Sequence, residues 1–240
     1  PWNFEKDKVQ SDLTLYALWD AENTDEIQTG GNDKDFAKLR TPGSQESAYA
    51  YSTYFLPAVD GVNQPYVGDP MPYYEDGVYY IYYLKDGGDS YNHSIYLATT
   101  TDFVTYTEID APVLEASRSG GQDSWIGTGS VVKVDGVYHM FYCKFPNYPY
   151  PRQQAWHATS TDFVNWTEHP EHMFMPDGDI YEMSDWRDPH VIWNEEEQCW
   201  WMLLAAQAKG KTMRKGCVGL CTSTDLIHWD IREPLYAPQN

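Results

Sequence analysis

The chain has 240 residues, with 16 basic and 36 acidic side chains and a formal net charge of −20. Its length allows one large domain or two modest ones around a real apolar core. Such an acidic surface repels phosphate backbones and anionic membranes, which argues against nucleic acid and favours neutral ligands such as sugars. The four cysteines form no CxxC pair and no zinc-site spacing, and no run is apolar enough to insert into a membrane. The sequence therefore predicts no cofactor and no metal.

Residues 1–20 differ in character from the rest of the chain. They hold an aromatic turn and one alternating apolar strand, which are too small to fold alone. The stretches "WNF" and "SDLTLYALW" resemble the C-terminal end of a Listeria–Bacteroides repeat, a small β-module of bacterial surface proteins. The resemblance implies an extracellular or cell-surface location. Residues 21–50 are polar and rich in Gly, Asp, Asn, Gln and Ser, so we expect a linker or surface extension.

An internal repeat begins after Tyr51 and is the strongest signal in the chain. Three segments share the pattern Thr-Ser/Thr-Thr-Asp followed by two apolar residues, a variable residue and an aromatic one, with the acid at Asp102, Asp162 and Asp225. Each copy comes after two alternating strands, which an Asp-Gly turn joins in the first two copies. Each unit therefore reads as four strands. Repeated four-stranded units are typical of a β-propeller, so we predict an all-β fold with about three blades over residues 51–240.

Two Asp-Pro pairs occupy matching places in this repeat. Asp69 heads the inner strand of the first unit, and Asp188 heads that of the third. The corresponding place in the second unit, residues 127–130, has no acid. Inner strands of propeller blades begin at the central funnel, so both carboxylates are expected there, with the following proline pinning each strand start. Arg187 is expected to keep Asp188 ionised or to bind a substrate hydroxyl.

Several of these segments resemble glycoside hydrolase family 32, namely "GDPMPYYEDGVYYIYY", "GTGSVVKVDGVYHMFY", "STDFVNW" and "WRDPHVIW". The resemblance implies the five-bladed propeller of invertase-, levanase- and inulinase-type β-fructosidases, here as a truncated N-terminal part. In that family Asp69 matches the nucleophile and Asp188 the transition-state stabiliser. The family's third acid is a Glu usually followed by Cys, which we expect beyond Asn240. Glu182 and Glu233 are left unassigned.

The resemblance implies retaining hydrolysis, in which two carboxyl groups about 5–5.5 Å apart flank the glycosidic bond. The pocket motifs depart from the family pattern: Met71 and Pro72 follow the first Asp-Pro, where Asn-Gly is usual. Fructose specificity therefore stays open. One alternative is a family 43-like inverting arabinosidase or xylosidase, and another is a non-catalytic glycan-binding propeller.

Other residues are candidates for binding the oligo- or polysaccharide substrate. Trp125 precedes the inner strand of the second unit and could stack on a sugar, with Asp123 close by in sequence and His93 before a third strand. His190 is expected to pack inside the blade, and the acidic stretch at 194–198 to form a solvated turn. An open three-unit assembly would expose strand edges, so a homodimer is also expected.

Overall fold

The computed structural model describes residues 67–86, 93–103, 105–109, 111–116, 125–145, 153–210 and 215–238. The predicted N-terminal module at 1–20, the linker at 21–50 and the candidate residue Asp123 lie outside these ranges.

The described residues form three four-stranded antiparallel sheets, each built from strands that are consecutive in the chain. We call them the first, second and third blades. The strands of the first blade are β1 (Val67–Glu75), β2 (Val78–Asp86), β3 (His93–Thr100) and β4 (Thr107–Glu108). Those of the second are β5 (Ile126–Val134), β6 (Val137–Lys144), β7 (Gln154–Ser160) and β8 (Thr167–Glu168). Those of the third are β9 (Tyr181–Asn194), β10 (Cys199–Ala208), β11 (Gly216–Ser223) and β12 (Asp230–Tyr236).

The order of strands within each sheet is the order in the chain, and the predicted all-β propeller architecture is confirmed. The described residues also contain one 3₁₀ turn, Pro170–His172. None of the helical structure described has the length and apolar character needed to cross a membrane.

The hairpin turns result from the Asp-Gly pairs. Asp76 and Gly77 have φ values of 50° and 83°, and Asp135 and Gly136 have 50° and 82°. Two successive residues with positive φ give a type I′ turn, whose twist matches that of the flanking strands. In the third blade the loop is longer, and the side chain of Asn194 accepts the backbone N–H of Glu197 at 2.8 Å.

The repeated Asp of the Thr-Asp pattern closes a turn after the third strand of each blade. Its carboxylate accepts the backbone N–H three residues on, at 2.7 Å from Asp102, 2.8 Å from Asp162 and 2.8 Å from Asp225. The residue after each Asp has a φ between 57° and 68°. These hydrogen bonds replace the strand ladder where the chain reverses. The repeat signal therefore marks a structural turn, and the recurring acid within it serves the backbone.

The core lies between blades, because successive side chains of the middle strands point to opposite faces. Met140 and Tyr142 of β6 pack in a cluster with the first blade. Phe141, between them, packs in a cluster with the third blade. The second blade is thereby held on both faces.

One aromatic ring crosses from the second blade to the first. The ring of Phe163 stacks on Tyr80 with centroids 3.7 Å apart and an interplanar angle of 9°. Its backbone carbonyl also accepts the hydroxyl of Tyr82 at 2.8 Å. A turn of the second blade thus serves as an anchor on the first.

Two blades carry the same buried ion pair. In the second blade, Lys144 lies 2.7 Å from Glu168, which also accepts the hydroxyl of Tyr142 at 2.5 Å. In the first blade, Lys85 and Tyr83 both contact Glu108. Each lysine also lies about 4 Å from the centre of an aromatic ring of the third strand, at 4.1 Å in the first blade and 4.0 Å in the second. The pairs join the second strand of a blade to its fourth.

Candidate active site at the inner strands

The two Asp-Pro pairs form matching β-bulges. In β1, Gly68 pairs with Leu84 and Met71 with Tyr82, so Asp69 and Pro70 face one residue of β2. In β9 the register shifts in the same way, and Asp188 and Pro189 face one residue of β10. A bulge of this kind re-aims a side chain out of the regular alternation of the strand.

The expectation that each Asp-Pro pair heads its strand is corrected by these bulges. β1 begins at Val67 and β9 begins at Tyr181, well before Asp188. The bulge leaves a residue without a ladder partner, so proline, which has no N–H, is accommodated inside the strand. The strand therefore continues through the pair.

Both aspartates adopt a backbone conformation that residues other than glycine rarely adopt. The φ of Asp69 is 53° and that of Asp188 is 57°. Short polar residues tolerate this left-handed region better than branched ones, although it still costs on the order of 1–3 kcal/mol. Strain of this kind is concentrated at functional sites, where it holds a group in a required direction. Both aspartates are exposed.

β5 of the second blade connects the two bulges. The hydroxyl of Thr128 donates to the backbone carbonyl of Asp69 at 3.2 Å. The hydroxyl of Ser130 donates to the carbonyl of Pro189 at 3.0 Å and accepts the N–H of Val191 at 2.9 Å. Side chains of one strand therefore fix the backbone of both neighbouring bulges. This strand carries no acid, and the structure gives its hydroxyls a positioning role.

The glycines of β5 keep this region closely packed. A Cβ on Gly129 would overlap the carbonyl group of Phe141. A Cβ on Gly127 would come within 2.6 Å of the Phe145 ring and would also meet Sγ of Cys143. The space beside Gly127 and Gly129 is thus already filled by β6 and by Phe145.

The electrostatics connect the two acids. Partial burial raises the pKa of Asp188 above its ordinary value, the Arg187 guanidinium opposes this rise, and the carboxylate of Asp69 adds to it. The effect of Asp69 on the pKa of Asp188 indicates that the two carboxylates lie within electrostatic range of each other. The Nε of Arg187 lies 3.7 Å from Oδ2 of Asp188.

Arg187 is held by residues that the sequence alone did not single out. Its Nη1 contacts the carboxylate of Asp185 and donates to Oε1 of Gln153 at 3.3 Å. Oε1 of Gln153 also accepts the backbone N–H of Trp186 at 2.8 Å, and the side-chain amide of Gln207 contacts Asp185. Asp185 stands two residues before Arg187 in the same strand, so the period of two could have suggested this pair. Gln153 lies before β7, and only the fold brings it near.

His93 and Trp125 meet at the junction of the first and second blades. Their ring centroids lie 6.2 Å apart at an interplanar angle of 56°. Trp125 keeps 43% of its surface exposed, and its backbone carbonyl accepts the N–H of Phe145 at 2.9 Å. An exposed indole fixed by its backbone is suited to stacking on a sugar ring.

Three further sequence expectations have an outcome in the structure. His190 is exposed, so the expectation that it packs inside the blade is wrong; it comes directly after the bulge, where the alternation of side chains changes. Glu182 is paired with Lys215 at 2.5 Å, and this contact lowers the pKa of Glu182. A glutamate in that state is unsuited to donate a proton, which agrees with leaving it unassigned. Glu233 is exposed on β12.

Comparison with known proteins identifies one family. The model for the glycosyl hydrolases family 32 N-terminal domain matches residues 61–240. The structure of sucrose-6-phosphate hydrolase from Lactobacillus gasseri is similar with a TM-score of 0.62 at 18% identity, covering 92% of this chain and 41% of that one. Fructan 1-exohydrolase IIa from Cichorium intybus gives 0.57 at 20% identity, covering 70% and 32%. Exo-inulinase from Aspergillus awamori gives 0.56 at 21% identity, covering 72% and 38%.

These identities establish a shared fold, and the chain spans less than half of each of those structures. No curated protein matches the chain.

Proposed function

Because the chain belongs to glycoside hydrolase family 32, we propose that it contributes the inner-strand carboxylates of a retaining glycosidase that acts on β-fructosides. The observation that carries the proposal is the pair of matching Asp-Pro bulges in β1 and β9, whose backbones are both fixed by hydroxyls of β5. Family membership also decides between the two propeller families, 32 and 43, in favour of family 32.

Asp69 is proposed as the nucleophile. It is exposed at the bulge of β1, and its backbone is fixed by the left-handed φ, by Pro70 and by the hydroxyl of Thr128. A carboxylate held in one direction can attack the anomeric carbon in line with the departing oxygen, which gives a covalent glycosyl-enzyme intermediate. Water then releases the sugar with overall retention of configuration.

Asp188 is proposed as the stabiliser of the transition state. Its carboxylate would accept hydrogen bonds from sugar hydroxyls that strengthen as positive charge develops on the ring. Arg187, placed by Asp185 and Gln153, keeps a positive charge beside Asp188 and so favours its ionised form. Arg187 also offers further donors toward the substrate.

Glu182 is committed to Lys215, so it is not proposed as the general acid. The general acid of this mechanism would protonate the leaving oxygen and then activate water.

The substrate is proposed to be an oligo- or polysaccharide, bound at the rim by Trp125 and His93, with Asp123 nearby in sequence. Related structures contain such ligands: a fructan 1-exohydrolase IIa variant was solved with 1-kestose, and a fructofuranosidase variant from Schwanniomyces occidentalis with fructosylnystose. We further propose an extracellular or cell-surface location, on the resemblance of residues 1–20 to a surface-protein repeat. A homodimer is proposed on the edge-strand argument alone.

The test is release of fructose by the protein at its natural full length from sucrose, inulin and levan, with aryl arabinosides and xylosides in parallel. Asp69→Asn and Asp188→Asn each keep side-chain size and should lower the rate by several orders of magnitude. Asp179→Asn is the matched control, an exposed aspartate of the third blade that lies before β9, and should keep the rate.

Two results would overturn the proposal. Release of pentose instead of fructose would show that β-fructosides are not the substrate class. No turnover together with sugar binding on a glycan array would favour the non-catalytic glycan-binding propeller.

A further inference from the structure

Four histidines meet on the middle strands of the second blade and in the turn after its fourth strand, away from the strands that hold the aspartates. Nδ1 of His139 on β6 lies 2.9 Å from Nε2 of His157 on β7. Nδ1 of His157 lies 2.9 Å from Nδ1 of His172, in the 3₁₀ turn after β8. The three rings form a continuous hydrogen-bonded row. His169, at the start of the same turn, bonds through Nε2 to the hydroxyl of Thr159 at 2.8 Å.

The row ends at a group of three possible metal ligands. Nδ1 of His169 lies 3.3 Å from Oε1 of Glu171, and Nε2 of His172 lies 3.7 Å from the same oxygen. The ligand atoms of the three residues all lie within 4.8 Å of one another. The backbone of the turn fixes this arrangement, because the N–H of His172 donates to the carbonyl of His169 at 3.0 Å. The two imidazoles stack as a result, with centroids 4.9 Å apart.

The remaining nitrogen of each imidazole is already occupied, as it is in metal sites of proteins. A metal-bound histidine usually donates its other N–H to a protein acceptor, which fixes its tautomer and orientation. Here Nε2–H of His169 can donate to Thr159. Nδ1–H of His172 can donate to His157, whose Nε2–H can in turn donate to His139. With the protons in these positions all four rings are neutral. In the other tautomer of His169, Nδ1–H donates to Oε1 of Glu171 and Nε2 accepts from Thr159, so a bound metal ion would replace this hydrogen bond.

We propose that His169, Glu171 and His172 form a binding site for a divalent transition-metal ion of the zinc type. A cation bound between the two ring nitrogens and the carboxylate would be neutralised in part by the charge of Glu171.

The donor set favours zinc over calcium or magnesium. Two imidazole nitrogens and one carboxylate are ligands that Zn²⁺ takes in tetrahedral sites, at about 2.0–2.2 Å from the metal, with a fourth position open to water. Calcium and magnesium prefer oxygen ligands alone. Ligand atoms at such distances are separated by about 3.3 Å in a tetrahedron. The two ring nitrogens lie 3.3 and 3.7 Å from Oε1 of Glu171, and the whole group spans up to 4.8 Å, so its side chains must draw together around an ion.

An ion can reach this group from solvent. Glu171 keeps 65% of its side chain exposed and His172 keeps 17%. Glu171 and His172 line an open cleft of about 560 Å³ whose other wall belongs to the third blade, at residues 227–230. The site thus lies where the second and third blades meet, and a bound metal would stiffen the turn that forms one wall of this cleft.

The site does not depend on the proposed fructosidase chemistry, and its test uses metal binding alone. The tag-free chain is titrated with Co²⁺, whose four-coordinate complexes absorb strongly in the visible, and then with Zn²⁺ in competition. We expect one ion per chain. Glu171→Gln, which keeps shape and removes the charge, should weaken binding by about tenfold or more, and so should His169→Asn and His172→Asn.

His190→Asn is the matched control, an exposed histidine of another blade that should leave affinity unchanged. Circular dichroism establishes that each variant is folded, and the exposed Glu171→Gln keeps the test decisive if a histidine variant misfolds. Failure of the unmodified chain to bind either ion, or equal weakening by His190→Asn and Glu171→Gln, overturns the proposal.

Discussion

At the residue scale, the backbone of Asp69 and Asp188 predicts that these positions accept few other side chains. Both sit at a bulge with positive φ, a conformation that glycine, asparagine and aspartate adopt most readily. The acid is therefore suited to its place for two separate reasons: its carboxylate serves the proposed hydrolysis, and its short side chain tolerates the strand irregularity that aims it.

Asp69→Asn and Asp69→Val should separate these two reasons. Asparagine tolerates the left-handed region, so the free energy of unfolding should change by about 0.5 kcal/mol or less. Valine is branched at Cβ and should destabilise the chain by about 1–3 kcal/mol. Denaturant unfolding of both variants measures the difference. Identical midpoints would show that the bulge imposes no such restriction.

Arg187 should control the pH at which Asp188 becomes ionised. Partial burial and Asp69 raise the pKa of Asp188, while Arg187 lowers it. In Arg187→Met the raising effects remain alone, so the pKa of Asp188 should increase further. Since the proposed role needs the carboxylate, the acidic limb of kcat/KM against pH should move to higher pH. Arg232→Met, on β12, is a control that should leave the limb in place.

At the element scale, much of the fold could be predicted from local sequence. The Asp-Gly pairs predict hairpins because they adopt positive φ easily, and the Thr-Asp repeat marks the end of each third strand. The bulges could not be predicted, because they depend on the pairing register between strands. The histidine row joins β6, β7 and the turn after β8, so its members are far apart in sequence, and only sheet pairing brings them together.

The buried ion pair of the second blade should show strong coupling. Lys144 is fully buried against Glu168 and Tyr142. Glu168→Gln removes the carboxylate that pairs with the buried ammonium of Lys144 and should cost about 1–3 kcal/mol. Lys144→Met removes the charge itself, and in the double variant the cost should be smaller than for Glu168→Gln alone. Chemical denaturation of the three variants gives the coupling energy, and additive effects would contradict a paired arrangement.

At the scale of the whole molecule, stability depends on how the blades pack against each other. Tyr142 and Phe141 are neighbours in β6, yet they belong to two different core clusters. The second blade therefore buries its apolar side chains against both neighbours, which is the usual condition of repeat folds. The composition predicted an acidic protein with a neutral ligand, but it could not show which faces of the blades pack against each other.

A substitution of Phe163 tests how far stability depends on packing between blades. Phe103 occupies the equivalent turn of the first blade and provides the comparison. Phe163 contacts Tyr73, Tyr80 and Tyr138, whereas Phe103 is 47% exposed. Both have positive φ, so alanine has a similar backbone effect at each. Phe163→Ala should lower the free energy of unfolding by about 2–3 kcal/mol, somewhat less than for a fully buried ring. Phe103→Ala should cost well under half of that, and equal losses in denaturant unfolding would argue against the anchoring role.

The hydroxyls of Thr128 and Ser130 have a consequence for how the two acids are positioned in the proposed reaction. They attach the two aspartate-bearing bulges to a strand that has no acid of its own, so that strand acts as a spacer between the proposed nucleophile and the proposed stabiliser. Any change in the tilt of the second blade then alters both acids' positions relative to the sugar ring at once. The distance from the proposed nucleophile to the anomeric carbon therefore depends on the geometry of the blades. Residues with no catalytic chemistry can change that distance.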